Sequence, residues 1–522
     1  MHKIDMDKSY VVGIDIGSSN VVMAIGTRNT DGEMSVLGVD IESVDGCVRD
    51  GDIKNFVDLG KAIEKAKLAL EAESGQTINS AYVGVSGRSV YCVRYEDYVD
   101  INDKSGCVTE VEMRELYSRI EAVTSNDGDK IIERIPLRYI IDDNQKVKNP
   151  IGSFGKKLSA TYLFVVIDKL QDDLIRRAMY QAGIKPCGIC ANPAILPHTI
   201  LSDEENENGA VIIDIGSELT DISIVNDGKL WYIASLPIGA SAINSDLVDF
   251  LRISKGEVET VKRKYGSAIA ESVPEDITVP IKVMRQTKKQ VLKRNIAEII
   301  EERLKDIAGF VARELKAAKF VNRISCGVVL TGGSAYLANI EELFARELKM
   351  DVKLGRVLNG LDDDSQQQVS AFPQAVAMGL LLYGAQHNVC ETVPDRSHVA
   401  NRPRVVETPI EPVKEEMNFN FATTNSVTVE EPKAEPEVTP IAAPVVEEHT
   451  PIAPTPEVEE ESVTMEREEV SDKTEPTEII QEEQEEPKPE KPQKPKWTDR
   501  FRGFAERFRN KVDDMFTGDD YI

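Results

Sequence analysis

Two stretches of the chain share one pattern: YVVGIDIGSSNVVMAI at residues 10–25 and GAVIIDIGSELTDISIV at residues 209–225. Each is typical of an apolar strand, a tight turn at Asp-Ile-Gly and a second apolar strand. A plain β-hairpin explains either stretch by itself. The return of the pattern roughly two hundred residues later predicts a duplicated domain whose halves face each other.

The composition of these turns favours a phosphate ligand. A glycine and small hydroxyl residues let backbone N–H groups, with Ser18 or Ser19, approach a phosphate that bulky side chains would exclude. An acid at the same bend, Asp15 or Asp214, repels phosphate directly, so it makes sense only with a hydrated Mg²⁺ ion in between.

Three further segments complete the pattern. LIRRAMYQAGIKPCGIC at residues 174–190 predicts an amphipathic helix that leads into a short strand. Residues 288–318 keep helical spacing and predict one helix of about eight turns. In CGVVLTGGSAYLANIEELF, residues 326–344, an apolar strand ends in two glycines and runs into a helix, which again permits close approach of a nucleotide. One hairpin alone is weak evidence for a ligand site. The two Asp-Ile-Gly hairpins followed by the strand that ends in two glycines, in this order along the chain, favour a nucleotide site.

These elements, with the closing segment FPQAVAMGLLLYGA at residues 372–385, resemble the ATP-binding core of the actin, sugar-kinase and heat-shock-chaperone superfamily. Within it the chain is similar to the FtsA family of cell division proteins. GVSGRSVYC at residues 84–92 and the "IP…D…NP.G..G..L" pattern within residues 131–166 resemble the FtsA inserted subdomain. IAEIIEERLKDI at residues 296–307 resembles the FtsA helix before the adenosine strand, and a long linker with a terminal amphipathic helix completes the likeness.

The resemblance implies an α/β, two-lobed actin-like fold with duplicated ATPase-core subdomains. The predicted segments are residues 8–84 (lobe 1, first part), 85–162 (FtsA-type inserted subdomain), 163–200 (lobe 1, second part), 201–370 (lobe 2 with a partner-binding helical subdomain), 371–390 (closing helix of lobe 1), 391–496 (disordered acidic, proline-rich linker) and 497–516 (amphipathic membrane-targeting helix).

The resemblance also implies that ATP and Mg²⁺ bind between the lobes. The matching positions are Asp15, Gly17, Ser18 and the adjacent Ser19 in the first phosphate loop, Asp214, Gly216 and Thr220 in the second, Gly332, Gly333 and Ser334 in the adenosine turn, and the pair Glu259 and Lys262 beside the adenosine. Asp15 and Asp214 would hold Mg²⁺ through water. A solvated surface ion pair explains Glu259 and Lys262 equally well.

Three departures from the family pattern affect the expected chemistry. Asn20 stands where FtsA has a lysine, and Ser217, Glu218 and Leu219 stand where it has small residues and glycine. Asn192 stands where the superfamily has Glu or Gln to position the attacking water. We therefore expect ATP binding with at most slow hydrolysis.

The charge of the chain is concentrated in the linker. Of the net charge of −28, residues 405–496 carry −17, from 25 acidic and 8 basic residues, and this polar, proline-rich stretch predicts disorder. Such acidity argues against nucleic acid as a partner, because phosphate would be repelled. The sequence has neither the pattern of a signal peptide nor an apolar run long enough to span a membrane, so we expect a cytoplasmic chain.

The end of the chain has the pattern of a helix that lies in a membrane interface. Apolar side chains recur at intervals of three and four, and basic side chains flank them. The predicted membrane-binding residues are Trp497, Arg500, Phe501, Phe504, Arg507, Phe508, Arg509, Lys511, Val512 and Phe516. A helix docked on the chain's own body or in a partner's groove is the alternative, but neither needs outward arginines or a long leash.

The FtsA resemblance implies filament formation, recruitment of FtsZ, contacts with other division proteins and an anionic membrane surface as partner. The expected location is the cytoplasmic face of the inner membrane at the division site. Lys289 and Arg303 match basic positions at which FtsA binds FtsZ, although most such charge runs are merely solvated. The alternatives are an actin-like pilus-assembly ATPase, which generally lacks such a tethered helix, and a sugar-kinase-type phosphotransferase, whose catalytic base and carbohydrate pocket we do not find in the sequence.

Overall fold

A computed structural model describes residues 10–387 except 45, 126–127, 284–287, 320–322, 358–359 and 370–373. The predicted linker (391–496) and terminal helix (497–516) lie outside the described residues.

The strands are β1 (Tyr10–Ile16), β2 (Asn20–Arg28), β3 (Met34–Ser43), β4 (Val48–Arg49), β5 (Asp52–Ile53), β6 (Ser80–Val85), β7 (Val90–Asp100), β8 (Asp129–Ile141), β9 (Gln145–Val147), β10 (Lys157–Asp168), β11 (Lys185–Ala191), β12 (Ala210–Ile215), β13 (Thr220–Asn226), β14 (Lys229–Leu236), β15 (Thr278–Lys282), β16 (Lys288–Leu292), β17 (Val328–Thr331) and β18 (Val352–Leu354). The helices are α1 (Phe56–Ser74), α2 (Glu110–Ala122), α3 (Lys169–Gln181), α4 (Asn192–Ile195), α5 (Pro197–Ile200), α6 (Asp203–Asn208), α7 (Ala240–Leu251), α8 (Lys255–Tyr265), α9 (Lys293–Ala318), α10 (Ile340–Leu348), α11 (Asp363–Gln368) and α12 (Ala375–His387).

Two five-stranded sheets repeat one topology. The order is β11-β6-β1-β2-β3 in the first and β14-β13-β12-β17-β18 in the second. In each, an antiparallel hairpin (β1–β2 or β12–β13) is joined to a parallel strand, β6 or β17, on the other side of its first strand. The central strands are apolar along nearly their whole length because helices cover them. The predicted duplication of the core is confirmed.

The first sheet lies between helices that the sequence supplies from distant places. Helix α1 packs on β2, β3 and α3, while the closing helix α12 packs on β1, β2 and β6. Close approach of α12 depends on Gly13, because a Cβ there would lie 2.8 Å from the Leu380 Cβ and 2.9 Å from the Ala377 carbonyl oxygen. One continuous apolar core then runs from this sheet into the second.

The residues between β6 and α3 form a sheet of their own. Its order is β7-β10-β8-β9, all antiparallel, and helix α2 packs on β7. Helix α2 begins with a capping box, in which Thr109 and Glu112 satisfy each other's backbone N–H groups. Val99, Leu116 and Leu158 belong to a separate buried cluster, so the insert has its own core.

The prediction of one helix over residues 288–318 is wrong at its start. Residues Lys288–Leu292 form β16, which pairs with β15, and the helix begins only at Lys293. The pairing buries Val291 against Val279, which gives this polar segment its only buried side chain. A helical continuation would have left that valine without a partner, whereas the hairpin satisfies the backbone through a ladder.

Candidate nucleotide-binding site

The two hairpin turns that were predicted to hold phosphates have the same backbone geometry. The Gly17 N–H donates to the Asn20 carbonyl at 3.0 Å, and the Gly216 N–H donates to the Leu219 carbonyl at 2.9 Å. A Cβ at either glycine would lie 3.1–3.2 Å from that carbonyl oxygen, which is tighter than ordinary contact. A larger residue at either position would therefore crowd the carbonyl that closes the turn.

The second turn is fixed by the start of α7. The Ala240 and Ser241 N–H groups donate to the Gly216 and Ser217 carbonyls at 3.0 and 2.7 Å. Thr220 was predicted to contact the nucleotide, but its side chain is buried and its hydroxyl donates to the Ile238 carbonyl at 2.7 Å. In this structure Thr220 positions the turn, since its hydroxyl already serves the loop that leads into α7.

Asp15 and Asp214 lie at equivalent places in the two sheets, one residue before each turn's Ile-Gly. Burial raises the pKa of Asp15 to about 7, against the hydrogen bond that the Asn192 Nδ2 donates to its Oδ1 at 2.8 Å. Burial, with the nearby Asp221 and Asp15 charges, raises the pKa of Asp214 to about 8. Asp15 of the first sheet therefore lies near enough to Asp214 and Asp221 of the second for their charges to interact.

Asp221 is the residue that the sequence reasoning missed. Its side chain is buried and accepts hydrogen bonds from Ser86 of lobe 1 and Ser235 of lobe 2, each at 2.5 Å. Burial raises its pKa more than these two hydroxyls lower it, and the resulting pKa is about 6. Its position in the strand directly opposite Asp214, in the ladder of β12 and β13, was the available signal.

The cleft contains polar groups that the described residues leave unsatisfied. Asn192 Oδ1, Thr331 Oγ1 and Ser334 Oγ are buried and have no hydrogen-bond partner among the residues that the structure describes. Buried polar atoms normally have partners, so these three fit a site that a polar ligand completes. Among the described residues no three His, Cys, Asp or Glu side chains lie close enough to hold a metal ion directly.

The predicted adenosine side forms one connected surface. Gly332 has φ of +90°, and a Cβ there would lie 2.3 Å from Asp214 Oδ1, so the glycine turn packs directly against the acid. A 3₁₀ turn, Gly333–Tyr336, follows. This turn is tied to the end of α8, because the Ala268 N–H donates to the Ala338 carbonyl at 2.8 Å.

Glu259 and Lys262 of α8 form the predicted pair. Lys262 Nζ lies 2.8 Å from Glu259 Oε2, and the lysine residue is only 4% exposed. Burial acts to raise the pKa of Glu259, but the hydrogen bond and charge of Lys262, with the Asn244 hydrogen bond and the Arg263 charge, together lower it. A lysine so buried does not fit the alternative of a fully solvated surface pair.

Comparison with known proteins matches these features. A family model described as "Cell division protein FtsA" matches residues 211–378, and one described as "SHS2 domain inserted in FTSA" matches residues 87–166. The chain therefore contains both domains that these FtsA models describe. It is 27% identical to the cell division protein FtsA of Pseudomonas aeruginosa over 72% of this chain and 89% of the relative. For the Escherichia coli K12 protein the identity is 25% over 73% and 92% of the two chains, and for Bacillus subtilis 168 it is 28% over 66% and 78%.

A solved structure shows the same fold. A chain of the PilM-PilN type IV pilus biogenesis complex matches with a TM-score of 0.51 and 15% identity, over 72% of this chain and 98% of that one. The predicted two-lobed actin-like fold is confirmed. The separate sheet of β7–β10 coincides with the SHS2 match, which agrees with an FtsA-type insert.

The departures from the FtsA pattern have visible contacts in this chain. Asn192 is anchored on Asp15, and a Cβ on Gly84 would lie 2.4 Å from its Oδ1, so the short amide fits against a bare backbone. Asn20 begins β2, and its backbone carbonyl closes the first turn. Glu218 accepts the Asp50 N–H at 2.7 Å.

The prediction that Arg303 contacts a partner requires correction. Its side chain is 1% exposed and lies between α7 and α9, with Nε 2.7 Å from Asp246 Oδ2 and Nη1 3.3 Å from Asp306 Oδ2. The guanidinium forms ion pairs with two buried carboxylates, so it is not accessible to a docked peptide in this arrangement. Lys289, in contrast, is exposed on β16.

The residues predicted to bind membrane, Trp497 to Phe516, lie outside the described residues. Within the part of the chain that the structure describes, no helix combines the length and apolar character needed to cross a bilayer.

Proposed function

We propose that this FtsA-like chain binds Mg-ATP between its two lobes, assembles into filaments, recruits FtsZ and ties the division ring to the cytoplasmic face of the inner membrane. The observation that carries the nucleotide part is the convergence of two matched turns, Asp15 and Asp214, with three unsatisfied buried oxygens. FtsA relatives that cover most of the chain support a role in cell division.

Each part of the cleft has a distinct task in this proposal. The turns at Gly17 and Gly216 offer bare backbone to the phosphates, and bound Mg²⁺ supplies the positive charge that offsets phosphate and carboxylate. Asp15 and Asp214 would hold that ion through its bound water. Asn192 holds Asp15 in place and is too short to reach an attacking water as a Glu or Gln would, so hydrolysis is slow or absent.

The membrane part rests on the pattern of the terminal helix. Five or six large side chains, partly buried at about 1–2 kcal/mol each, plus about 1 kcal/mol for each basic residue near anionic lipid, give a gross figure of roughly 10–15 kcal/mol. The free-energy cost of folding the helix on binding reduces this figure substantially. One copy should therefore bind reversibly, whereas a filament with many copies holds firmly through effective concentration.

Vesicle co-sedimentation tests the membrane part. The full chain should pellet with anionic vesicles, and a chain that ends at Pro495 should stay in the supernatant. Phe504→Glu should abolish pelleting, whereas Asn510→Glu, which adds the same charge on the opposite helical face, should weaken it only slightly. Equal pelleting of the full and shortened chains would contradict the proposal.

The FtsZ part is tested on the exposed hairpin. Lys289→Glu should reduce co-pelleting of FtsZ with vesicle-bound chain by about tenfold, because a peptide-binding charge is reversed. Lys61→Glu reverses a charge on the exposed face of α1 and serves as the matched control. If both variants recruit FtsZ as well as the unmodified chain, β16 is not the docking site.

A further inference from the structure

The hairpin of β4 and β5 places a rigid turn at the cleft. Its two tip residues have left-handed backbones, with φ of +51° at Asp50 and +79° at Gly51. A Cβ on Gly51 would lie 2.2 Å from the Ser86 carbonyl oxygen, so the tip rests against the backbone at the end of β6. The turn is thereby part of lobe 1.

Two successive N–H groups of this tip reach the two phosphate loops. The Gly51 N–H donates to Ser18 Oγ in the first loop at 3.3 Å. The Asp50 N–H donates to Glu218 Oε2 in the second loop at 2.7 Å. The second bond joins the lobes, because Asp50 and Glu218 are 168 residues apart and belong to different sheets.

One backbone N–H group of this turn holds a negative charge. Backbone N–H groups in a turn can bind an anion, as in many phosphate sites. Here the Asp50 N–H binds the Glu218 carboxylate, while the neighbouring Gly51 N–H donates to the Ser18 hydroxyl. Glu218 stands where the FtsA pattern has small residues, so this carboxylate is a property of this chain.

We propose that Glu218 is an internal latch, which holds the second phosphate loop on the Asp50 amide and must be released when nucleotide phosphates enter. This inference rests on the ATP binding proposed above and concerns the regulation of that site. A polyphosphate that approaches the turn at Gly216 meets the Glu218 charge two residues away. Release of the latch leaves the Ser86–Asp221 hydrogen bond as a second, independent link between the lobes.

Three substitutions in the full chain separate the hydrogen bond from the charge. Glu218→Ala removes both, Glu218→Asp keeps the charge but is one methylene shorter, and Glu218→Gln keeps the length without the charge. Glu42→Ala removes a carboxylate that pairs with Lys65 on the surface of lobe 1 and is the matched control. The readouts are amide hydrogen exchange at Asp50 and the affinity for a fluorescent ATP analogue with Mg²⁺.

Without nucleotide, exchange at Asp50 should rise about tenfold in Glu218→Ala and Glu218→Asp, because a charged hydrogen bond is lost. Affinity for the analogue should rise roughly tenfold in Glu218→Ala and less in Glu218→Asp, which still repels phosphate. Glu218→Gln should keep part of the protection.

Unchanged exchange at Asp50 in Glu218→Ala would overturn the latch. Raised exchange with unchanged affinity would overturn the competition with nucleotide. If no form of the chain binds the analogue, the proposed ATP binding fails, and the exchange data still decide whether the latch exists.

Discussion

Replacing Arg303 by methionine should destabilise lobe 2 strongly. The guanidinium donates to Asp246 at 2.7 and 3.1 Å and to Asp306 at 3.3 Å. Both acids are buried, at 2% and 4% exposure. Methionine fills most of the volume but leaves the two carboxylates without their cation.

The size of the effect follows from that geometry. Removing one partner of a buried ion pair costs about 3–5 kcal/mol, because the remaining charge is uncompensated. The cost is limited by protonation: burial already raises the pKa of Asp246, and loss of Arg303, which lowers it, raises it further. In the variant Asp246 then binds a proton that the unfolded chain releases near pH 4. The deficit in the free energy of unfolding should therefore grow as the pH rises from 5 to 8.

Urea unfolding of the full chain, followed by circular dichroism and by hydrogen exchange in α9, measures this deficit. Arg313→Met makes the same change at an exposed position of α9, where Arg313 lies over the Phe310 ring at 4.6 Å, and should cost about 1 kcal/mol or less. Replacing Arg303, Asp246 and Asp306 together by apolar residues should recover much of the loss. If Arg303→Met costs no more than about 1 kcal/mol beyond Arg313→Met, the buried ion pair does not stabilise lobe 2 in this way.

Three other predictions concern the cleft. Gly332→Ala should lower nucleotide affinity at least tenfold, measured by titration with a fluorescent ATP analogue. The alanine Cβ would lie 2.3 Å from Asp214 Oδ1, and φ at this position is +90°. Unchanged affinity would contradict this prediction. The pKa values of Asp15 and Asp214 are raised to about 7 and 8, so the folded Mg²⁺-free chain holds protons that the unfolded chain has lost. Thermal stability should therefore fall as the pH rises from 5 to 8. Asp214→Asn should make this decrease smaller, and an unchanged pH dependence in the variant would contradict the prediction. Ser86→Ala should cost about 1–3 kcal/mol in urea unfolding, because Asp221 loses its cross-lobe donor; a neutral result would show that the contact is dispensable.

Much of the fold is readable from local sequence. The duplicated strand-turn-strand units are visible because short continuous apolar runs and a glycine turn are short-range signals, and β1–β2 and β12–β13 form at those positions. The start of α9 could not be read in the same way. The polar residues 288–292 directly precede the helical apolar spacing of α9, and the pairing with β15 makes them a strand.

The site shows the same division. Asp15, Asp214 and Gly332 follow from turn chemistry, because an acid or glycine at a strand end is visible in the sequence. Asp221 and Ser86 could not be joined, since their hydrogen bond spans 135 residues.

The repeated units and the composition of the phosphate loops can be read from the sequence alone, because they depend on apolar runs and on residues close together in the chain. The inserted subdomain was expected from the resemblance to FtsA. The partner of each charged side chain depends on tertiary contacts. Arg303 looks like any other basic residue of an exposed helix until α7 brings Asp246 against it, and Glu218 looks like a misplaced acid until the β4–β5 turn offers it an amide. The local sequence around such a charge does not identify its partner, because Asp246 and the Asp50 N–H group come from distant segments that folding brings close.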